Sequence, residues 1–293
     1  MTPLIRVAPD VAAALATGLP VVALETSIVG QGLPHPHNLR AAEGCEAAIR
    51  DEGGVPATIA VIDGHIHVGL SRAELERIAS GAVKLSSRDL GPALAERRLG
   101  ATTVAATMRA AALAGIRFFA TGGIGGVHRG HPEDQSADLF ELSRTAVAVF
   151  CAGPKSILDI PLTLERLESL AVPVLGYGCD RLPAFYTRFT DWPVSARVDG
   201  PEGAARSIRA AWETGSAGIL VAVPPPEELE NAEALIEQAV RELSHVAGGE
   251  ATPRLLARVA ELSGGRSLDV NVELVVNNAR VAAQVAGAFA AAA

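Results

Sequence analysis

The chain has 293 residues, a hydrophobic content of 49% and a formal net charge of −8. A chain of this kind can bury a full hydrophobic core, as one large α/β domain or as two smaller ones. The negative charge, without any basic cluster, argues against nucleic acid or an anionic membrane as a partner. No apolar run could span a bilayer and the N-terminus lacks a basic segment followed by an apolar one, so we expect a cytoplasmic protein.

The predicted elements alternate between helix and strand along most of the chain. Apolar runs predict buried strands at residues 21–24, 55–62, 65–70, around 84, and at 116–120, 146–152, 172–177, 194–198 and 218–223. Helical patterns cover residues 11–17, 38–51, 71–79, 90 to about 100, 102–115, 140–142, 162–170, 202–214 and most of the chain from 227. This alternation predicts a single-domain α/β/α sandwich with a largely parallel sheet over residues 1–293.

Several local signals refine this outline. The Gly- and Pro-rich segment 30–37 predicts an irregular loop, after which Asn38 is expected to cap a helix. The pair Asp63-Gly64 between two apolar runs predicts a two-residue hairpin turn. The alanine-rich tail, residues 286–293, is expected to fray.

The basic residues and the cysteines give two compositional hints. Of 25 basic residues, only Lys84 and Lys155 are lysines. A lysine amine can lose its proton and attack a carbonyl, whereas a guanidinium stays charged, so a retained lysine indicates chemistry; chance survival is the alternative. The cysteines are odd in number and lie in apolar segments, which predicts core thiols at Cys45, Cys151 and Cys179.

Residues 116–161 predict a parallel βαβ unit around which the rest of the chain is organised. The glycine-rich loop 121–126 follows its first strand, and Gly153-Pro154-Lys155 follows its second. Because parallel strands end at the same sheet edge, where ligands bind, both loops should face one pocket.

The glycine loop is a candidate phosphate site. Its glycines offer several backbone N–H groups without side-chain obstruction, and His128 and Arg129 beside it can donate to an oxyanion. A purely structural turn is the alternative. The loop matches neither the dinucleotide fingerprint nor the phosphate loop of NTPases.

Two carboxylates, Asp134 and Asp138, stand four residues apart at a predicted helix start. They suit either a hard-cation ligand plus a substrate contact, or an N-cap with helix-dipole pairing.

Lys155, at the end of an apolar strand, is a candidate for imine formation with a sugar aldehyde. Glu25, at the end of another strand, could be a general acid, and a salt bridge between the two is the alternative.

Six ordered motifs resemble one known family over about residues 21–286. They are ALETSI at 23–28, VPATIA at 55–60, GATTVA at 100–105, TGGIGGVHRG at 121–130, SADL at 136–139 and CAGPKSILD at 151–159. The chain thereby resembles the pseudouridine-5′-phosphate glycosidase family, which also includes indigoidine synthase A-like proteins.

The resemblance implies reversible cleavage of the C–C glycosidic bond of pseudouridine 5′-phosphate to uracil and ribose 5-phosphate. It implies that Lys155 forms an imine with C1′ of ring-opened ribose, that Glu25 donates the proton, and that Asp134 binds one Mn²⁺ per subunit of a homotrimer. It further implies substrate contacts at Lys84, Val104, Ser136, Ala137 and Asp138, phosphate contacts at Thr121 and His128, and a uracil contact at Asn277. Since a C–C bond to a base has no heteroatom leaving group, the two-carboxylate route of common glycosidases suits it poorly, whereas an imine and an acid suit it well.

Two alternatives stay open. A related C-glycosidase or C-glycoside synthase acting on another ribosyl 5-phosphate would share the phosphate, imine and metal residues and differ where the base is bound. A non-catalytic sugar-phosphate-binding protein would need the glycine loop but neither Glu25 nor Lys155, and both residues are present.

Overall fold

The computed structural model describes residues 3–243 and 251–292, which form an α/β fold around a mostly parallel sheet. The strands of the central sheet are β1 (Ile5–Val7), β2 (Val21–Leu24), β3 (Val55–Ile62), β4 (His65–Val68), β5 (Val83–Leu85), β6 (Gly100–Thr102), β7 (Phe118–Ala120), β10 (Ala148–Cys151), β12 (Val174–Tyr177), β13 (Ala196–Val198) and β14 (Ile219–Ala222). A small antiparallel sheet contains β8 (Val127–His128), β9 (His131–Gln135) and β11 (Leu158–Asp159).

The helices separate these strands along the chain. They are α1 (Pro9–Thr17), α2 (His37–Asp51), α3 (Arg72–Ala79), α4 (Leu90–Ala95), α5 (Val104–Ala114), α6 (Ala137–Leu142), α7 (Ile160–Ser169), α8 (Gly200–Glu213), α9 (Ala232–Glu242), α10 (Ala251–Leu262) and α11 (Arg266–Ala291). Within the described residues, no helix is both long and apolar enough to cross a membrane.

The central strands follow the order β3-β2-β7-β10-β14-β12-β13, and every neighbouring pair in this run is parallel. Antiparallel pairing is confined to one side, where β4 and β6 pair with β3. The predicted parallel unit of β7 and β10 is confirmed, with Phe118 opposite Ala148. The carboxyl ends of β2, β7 and β10 therefore lie together.

Hydrophobic cores on both faces of the sheet make the fold a sandwich. Along β2, Val22 and Leu24 belong to the core on one face, while Val21 and Ala23 belong to the core on the other. This alternation is the period of two expected of a strand whose faces are both buried. Helices α2, α8 and α11 supply the first core, and α1, α5 and α7 supply the second.

Local predictions are largely confirmed where turn chemistry sets the backbone. The Asp63-Gly64 turn joins β3 to β4, and both residues have positive φ, 49° and 84°, as a type I′ turn requires. All three cysteines are buried free thiols.

Three local predictions are wrong. The predicted loop 30–37 is not irregular throughout, because its first residues belong to a π-helical turn at residues 28–32. Asn38 is not the cap of α2, which begins at His37; the buried Asn38 side chain instead donates to the Val29 carbonyl at 3.0 Å. The alanine-rich tail does not fray over its described length, since α11 continues to Ala291 and Ala286 is buried in the core.

Candidate active site

The candidate site lies at the carboxyl edge of the central strands. Glu25 directly follows β2, Thr121 directly follows β7, and Lys155 follows β10 after Gly153-Pro154. These three residues line one pocket together with Lys84 from β5. The prediction that the two loops of the βαβ unit face a common pocket is confirmed.

The glycine loop is joined to the lysine loop through backbone hydrogen bonds. The Ile124 N–H donates to the Gly153 carbonyl at 3.2 Å, and the Lys155 N–H donates to the Ile124 carbonyl at 3.0 Å. Gly153 has a φ of +80°, and a Cβ there would lie 1.9 Å from the Pro183 carbonyl oxygen. Only glycine fits this position, so Gly153 fixes the turn that carries Lys155 into the pocket.

The glycine loop differs from the open phosphate cradle that its sequence predicts. The N–H groups of Thr121, Ile124 and Gly125 are bonded to protein acceptors, namely Phe150 O, Gly153 O and Asp138 Oδ2. A Cβ on Gly125 would lie 2.3 Å from Ser136 Oγ. Close packing thus explains much of the glycine content, and the structural-turn interpretation holds for this part of the loop.

Glu25 is a half-buried carboxyl held by two hydroxyls. Ser27 Oγ donates to one carboxyl oxygen and Thr121 Oγ1 donates to the other. Burial raises the pKa of Glu25 above its ordinary value, against the opposing effects of the Lys155 charge and the two hydroxyl hydrogen bonds. A carboxyl with a raised pKa keeps its proton to higher pH than an ordinary glutamate does, which suits a general acid. The Thr121 hydroxyl, predicted to contact phosphate, is thus directed to Glu25.

The two lysines lie in the same electrostatic environment. Lys155 is half-buried and its charge acts on both Glu25 and Lys84. The pKa of Lys84 is lowered, first by partial loss of hydration and then by the Lys155 charge, while Asp138 and Glu25 act in the opposite direction. The pair of lysines gives the pocket local positive charge in an acidic chain, which suits an anionic ligand.

The buried Asp138 side chain connects the start of α5 to the glycine loop through two hydrogen bonds. Its Oδ1 accepts from the Ala105 N–H at 3.0 Å, next to Val104 at the start of α5, and its Oδ2 accepts from the Gly125 N–H at 2.8 Å. Ser136 caps α6 by accepting from the Asp138 N–H at 3.2 Å. Ser136, Ala137 and Asp138 lie behind the glycine loop in the described structure, where Asp138 positions the backbone and contributes negative charge.

The predicted metal ligand lies in a hairpin instead of at a helix start. Residues 131–135 form β9, which pairs with β8, so the prediction of a helix start is wrong for Asp134. It holds for Asp138, which lies in the first turn of α6. His128 Nδ1 lies 3.2 Å from Asp134 Oδ2, and His128 Nε2 is buried without a partner among the described residues.

The β8–β9 hairpin is the candidate metal site. No group of three His, Cys, Asp or Glu side chains that could hold an ion occurs in the described part of the chain. The Asp134 side chain is 38% exposed, so an ion bound there would keep several water ligands. That environment fits a hard cation such as Mn²⁺ or Mg²⁺, and the oxygen of Asp134 is the appropriate donor.

The predicted uracil contact, Asn277, is not among the described residues that line the pocket, whereas Asn271 on the same helix is. Asn278 donates from Nδ2 to the Thr121 carbonyl at 2.8 Å and so fixes α11 onto the glycine loop. Asn271 and Asn278 are seven residues apart and share a helix face.

The sequence interpretation missed three residues of the site. Asn271 and Gln31 line the pocket, and Ser27 donates a hydrogen bond to Glu25. Only Ser27 had a local signal, because it lies close to Glu25 in the same loop.

The fold and the site together define a class: an α/β enzyme whose pocket combines a lysine and a half-buried acid at the carboxyl edge of a parallel sheet. The chain belongs to the family of indigoidine synthase A like proteins, whose model matches residues 10–288.

Similar proteins cover nearly the whole chain. The pseudouridine-5′-phosphate glycosidase of Deinococcus radiodurans is 52% identical over 96% of this chain and 94% of its own. The structure of the prealnumycin C-glycosynthase AlnA in complex with ribulose 5-phosphate is 40% identical, with a TM-score of 0.91 over 100% of this chain and 99% of that one. An indigoidine synthase A-like protein from Thermotoga maritima is 33% identical, with a TM-score of 0.88 over 93% and 94% of the two chains.

Proposed function

We propose that the protein reversibly cleaves the C–C glycosidic bond of pseudouridine 5′-phosphate, giving uracil and ribose 5-phosphate. The relatives' names support a C-glycosidase role on a sugar phosphate. The observation that carries the finer proposal is the joint placement of Lys155 and Glu25 in one pocket, with Lys155 acting electrostatically on Glu25.

The reaction needs an amine at C1′ of the sugar. In cleavage, the Lys155 amine bonds to C1′ while the C1′–O4′ bond breaks, and a proton passes from the lysine nitrogen to O4′, which opens the ring and leaves a lone pair on the nitrogen. The nitrogen lone pair then forms the C1′=N imine as the C1′–C5 bond breaks. Water finally hydrolyses the imine, releasing ribose 5-phosphate and the free amine.

Uracil C5 must gain a proton as it leaves. The electron pair of the breaking C–C bond goes to the base, and Glu25 delivers the proton to C5. Burial of Glu25 supports this role because it raises the pKa and keeps the acid form available. In synthesis the Glu25 carboxylate takes the same proton back, so one group serves both directions.

The phosphate and the metal are assigned by the chemistry of the remaining residues. Lys84 supplies charge for the 5′-phosphate at the pocket, while the resemblance adds Thr121 and His128. Asp134 would hold the Mn²⁺, which when bound would supply Lewis-acid polarisation of a substrate oxygen. A homotrimer, implied by the resemblance alone, completes the proposal together with the cytoplasmic location expected from the sequence.

A second candidate is a C-glycoside synthase acting on another acceptor ring. The similarity to AlnA over the whole chain favours it, since that protein is a C-glycosynthase crystallised with a pentulose phosphate. The two candidates share the lysine chemistry and differ only in the ring that joins C1′.

The deciding experiment is release of uracil from pseudouridine 5′-phosphate by the purified protein, with the reverse reaction run on uracil and ribose 5-phosphate. We expect both. Formation of a ribose 5-phosphate adduct without any uracil reaction would instead favour the second candidate.

A further inference from the structure

Two amide side chains in the pocket hold buried oxygens without a hydrogen-bond partner. Asn271 is 5% exposed, and its Oδ1 has no partner in the described part of the chain. Gln31, in the π-helical turn after β2, donates from Nε2 to the Ala82 carbonyl, while its buried Oε1 also lacks a described partner. Both residues line the pocket that contains Glu25 and Lys155.

Such oxygens point to a ligand. A buried acceptor without a donor is destabilising, and the great majority of buried polar side-chain atoms are bonded. The Gln31 amide is anchored by its own Nε2, which leaves Oε1 oriented without help from a ligand. Asn271 lies over the glycine loop, where a Cβ on Gly122 would be 3.5 Å from Oδ1. The pocket therefore presents two acceptors, from two different elements, for a ligand with two donors.

Uracil joined through C5 is a ring with two such donors. In an N-linked uridine the sugar occupies N1 and only N3–H remains, whereas a C5 link leaves N1–H and N3–H both free. These two N–H groups flank the C2 carbonyl, on the side of the ring away from C5. A ring without N–H groups would leave both amide oxygens unpaired.

We propose that Asn271 and Gln31 accept hydrogen bonds from the two ring N–H groups of uracil and thereby select the C-linked base. This inference rests on the proposed function and deepens it by naming the residues that read the base. It assigns the contact with the base to Asn271 instead of Asn277. Asn277 is absent from the described pocket lining and lies on another face of α11.

The test measures synthesis from ribose 5-phosphate with uracil, 1-methyluracil or 3-methyluracil as the acceptor. Wild-type protein should use uracil and discriminate against both methyl isomers. Asn271→Ala and Gln31→Ala should each raise KM for uracil by ~10- to 100-fold and relax discrimination against one isomer, with the two variants relaxing opposite isomers.

A second readout separates base reading from folding. Borohydride trapping of ribose 5-phosphate involves no base, so both variants should form as much adduct on Lys155 as wild type does. Gln284→Ala is the matched control, because this amide is on the same helix but bonds to Glu52 at the surface. It should match wild type in every assay.

Two results overturn the inference. One is that Asn271→Ala and Gln31→Ala both keep the wild-type KM for uracil and the wild-type discrimination between the methyl isomers, particularly if Asn277→Ala raises KM for uracil. The other is a loss of adduct as large as the loss of synthesis, which would mean a structural role. Wild-type protein that forms the adduct but makes no product with uracil overturns the proposed function itself, and the base assignment with it.

Discussion

The strand ends that carry Glu25 and Lys155 differ in construction from the β8–β9 hairpin that carries His128 and Asp134. The strands β2, β7 and β10 are held in parallel register, and backbone hydrogen bonds join the loops after β7 and β10. Glu25 and Lys155 line a shared pocket at these strand ends. In the hairpin, His128 and Asp134 approach each other at 3.2 Å, and Asp134 is 38% exposed. Neither hairpin residue is among the described pocket lining.

The strand ends and the hairpin therefore contribute to the proposed reaction in different ways. Parallel strands place their end residues within reach of one another whatever those residues are, so the fold itself supports the lysine chemistry. The hairpin carries the open carboxylate of Asp134, whose effect depends on what it binds. Loss of a strand-end group should therefore abolish the reaction, and loss of the hairpin group should only weaken it.

The largest effect is expected from Lys155→Arg. The guanidinium keeps the charge but cannot act as a nucleophile, so we expect activity to fall by ~10⁴-fold or more with ligand binding partly retained. Turnover of pseudouridine 5′-phosphate and ligand-induced thermal shift measure the two effects. Near-normal turnover by this variant would remove the basis for the strand-end region as the catalytic one.

Metal removal should have the next largest effect. A divalent ion held by Asp134 is expected to contribute several kcal/mol, so exhaustive EDTA treatment should lower kcat/KM by ~10²-fold or more and Mn²⁺ should restore it. Asp134→Asn should require more Mn²⁺ for the same activity. Unchanged turnover after chelation would contradict the metal assignment while leaving the strand-end account intact.

Lys84→Arg should have a smaller effect that falls on binding. Because Lys84 is assigned to the 5′-phosphate, we expect KM for the nucleotide to rise by ~10-fold with little change in kcat. Unphosphorylated pseudouridine, which we expect to be a far poorer substrate of the wild type, should be affected much less. An equal effect on nucleoside and nucleotide would show that Lys84 does not serve the phosphate.

The smallest effect is a shift in pH dependence from Ser27→Ala. The Ser27 hydroxyl stabilises the charged form of Glu25, so its removal should raise the pKa of Glu25 further. Cleavage needs the protonated acid, and its rate falls as pH rises through that pKa. The alkaline limb of the cleavage profile should therefore move to higher pH, and a move to lower pH would contradict the assignment of Glu25 as proton donor.

The sequence was sufficient to predict the strand-end region, because each apolar run marks its strand locally and the runs together predict the parallel sheet. Apolar runs define β2, β7 and β10, and the rule that parallel strands end at one edge places Glu25 beside Lys155. The fold class followed from the same alternation. The family resemblance then supplied roles that no spacing in the chain could give.

The remaining features depend on tertiary contacts. The polar segment of β9 has no alternating pattern, and it is a strand because it pairs with β8. Asn271 enters the pocket because α11 packs over the glycine loop, which is a contact between residues about 150 positions apart. The glycines of that loop look like a phosphate cradle in sequence, and only the packing of Ser136 and Gly153 shows how far they serve close approach.

The most direct test of the central claim is chemical trapping of the imine. Borohydride added with ribose 5-phosphate should fix a pentose phosphate on the peptide that contains Gly153-Pro154-Lys155-Ser156. Lys84 is the only other lysine of the chain, so peptide mass assigns the adduct without ambiguity. Glu25→Gln should still trap the sugar but should not exchange the proton at uracil C5. An adduct on Lys84, or none on either lysine while turnover continues, would contradict the account.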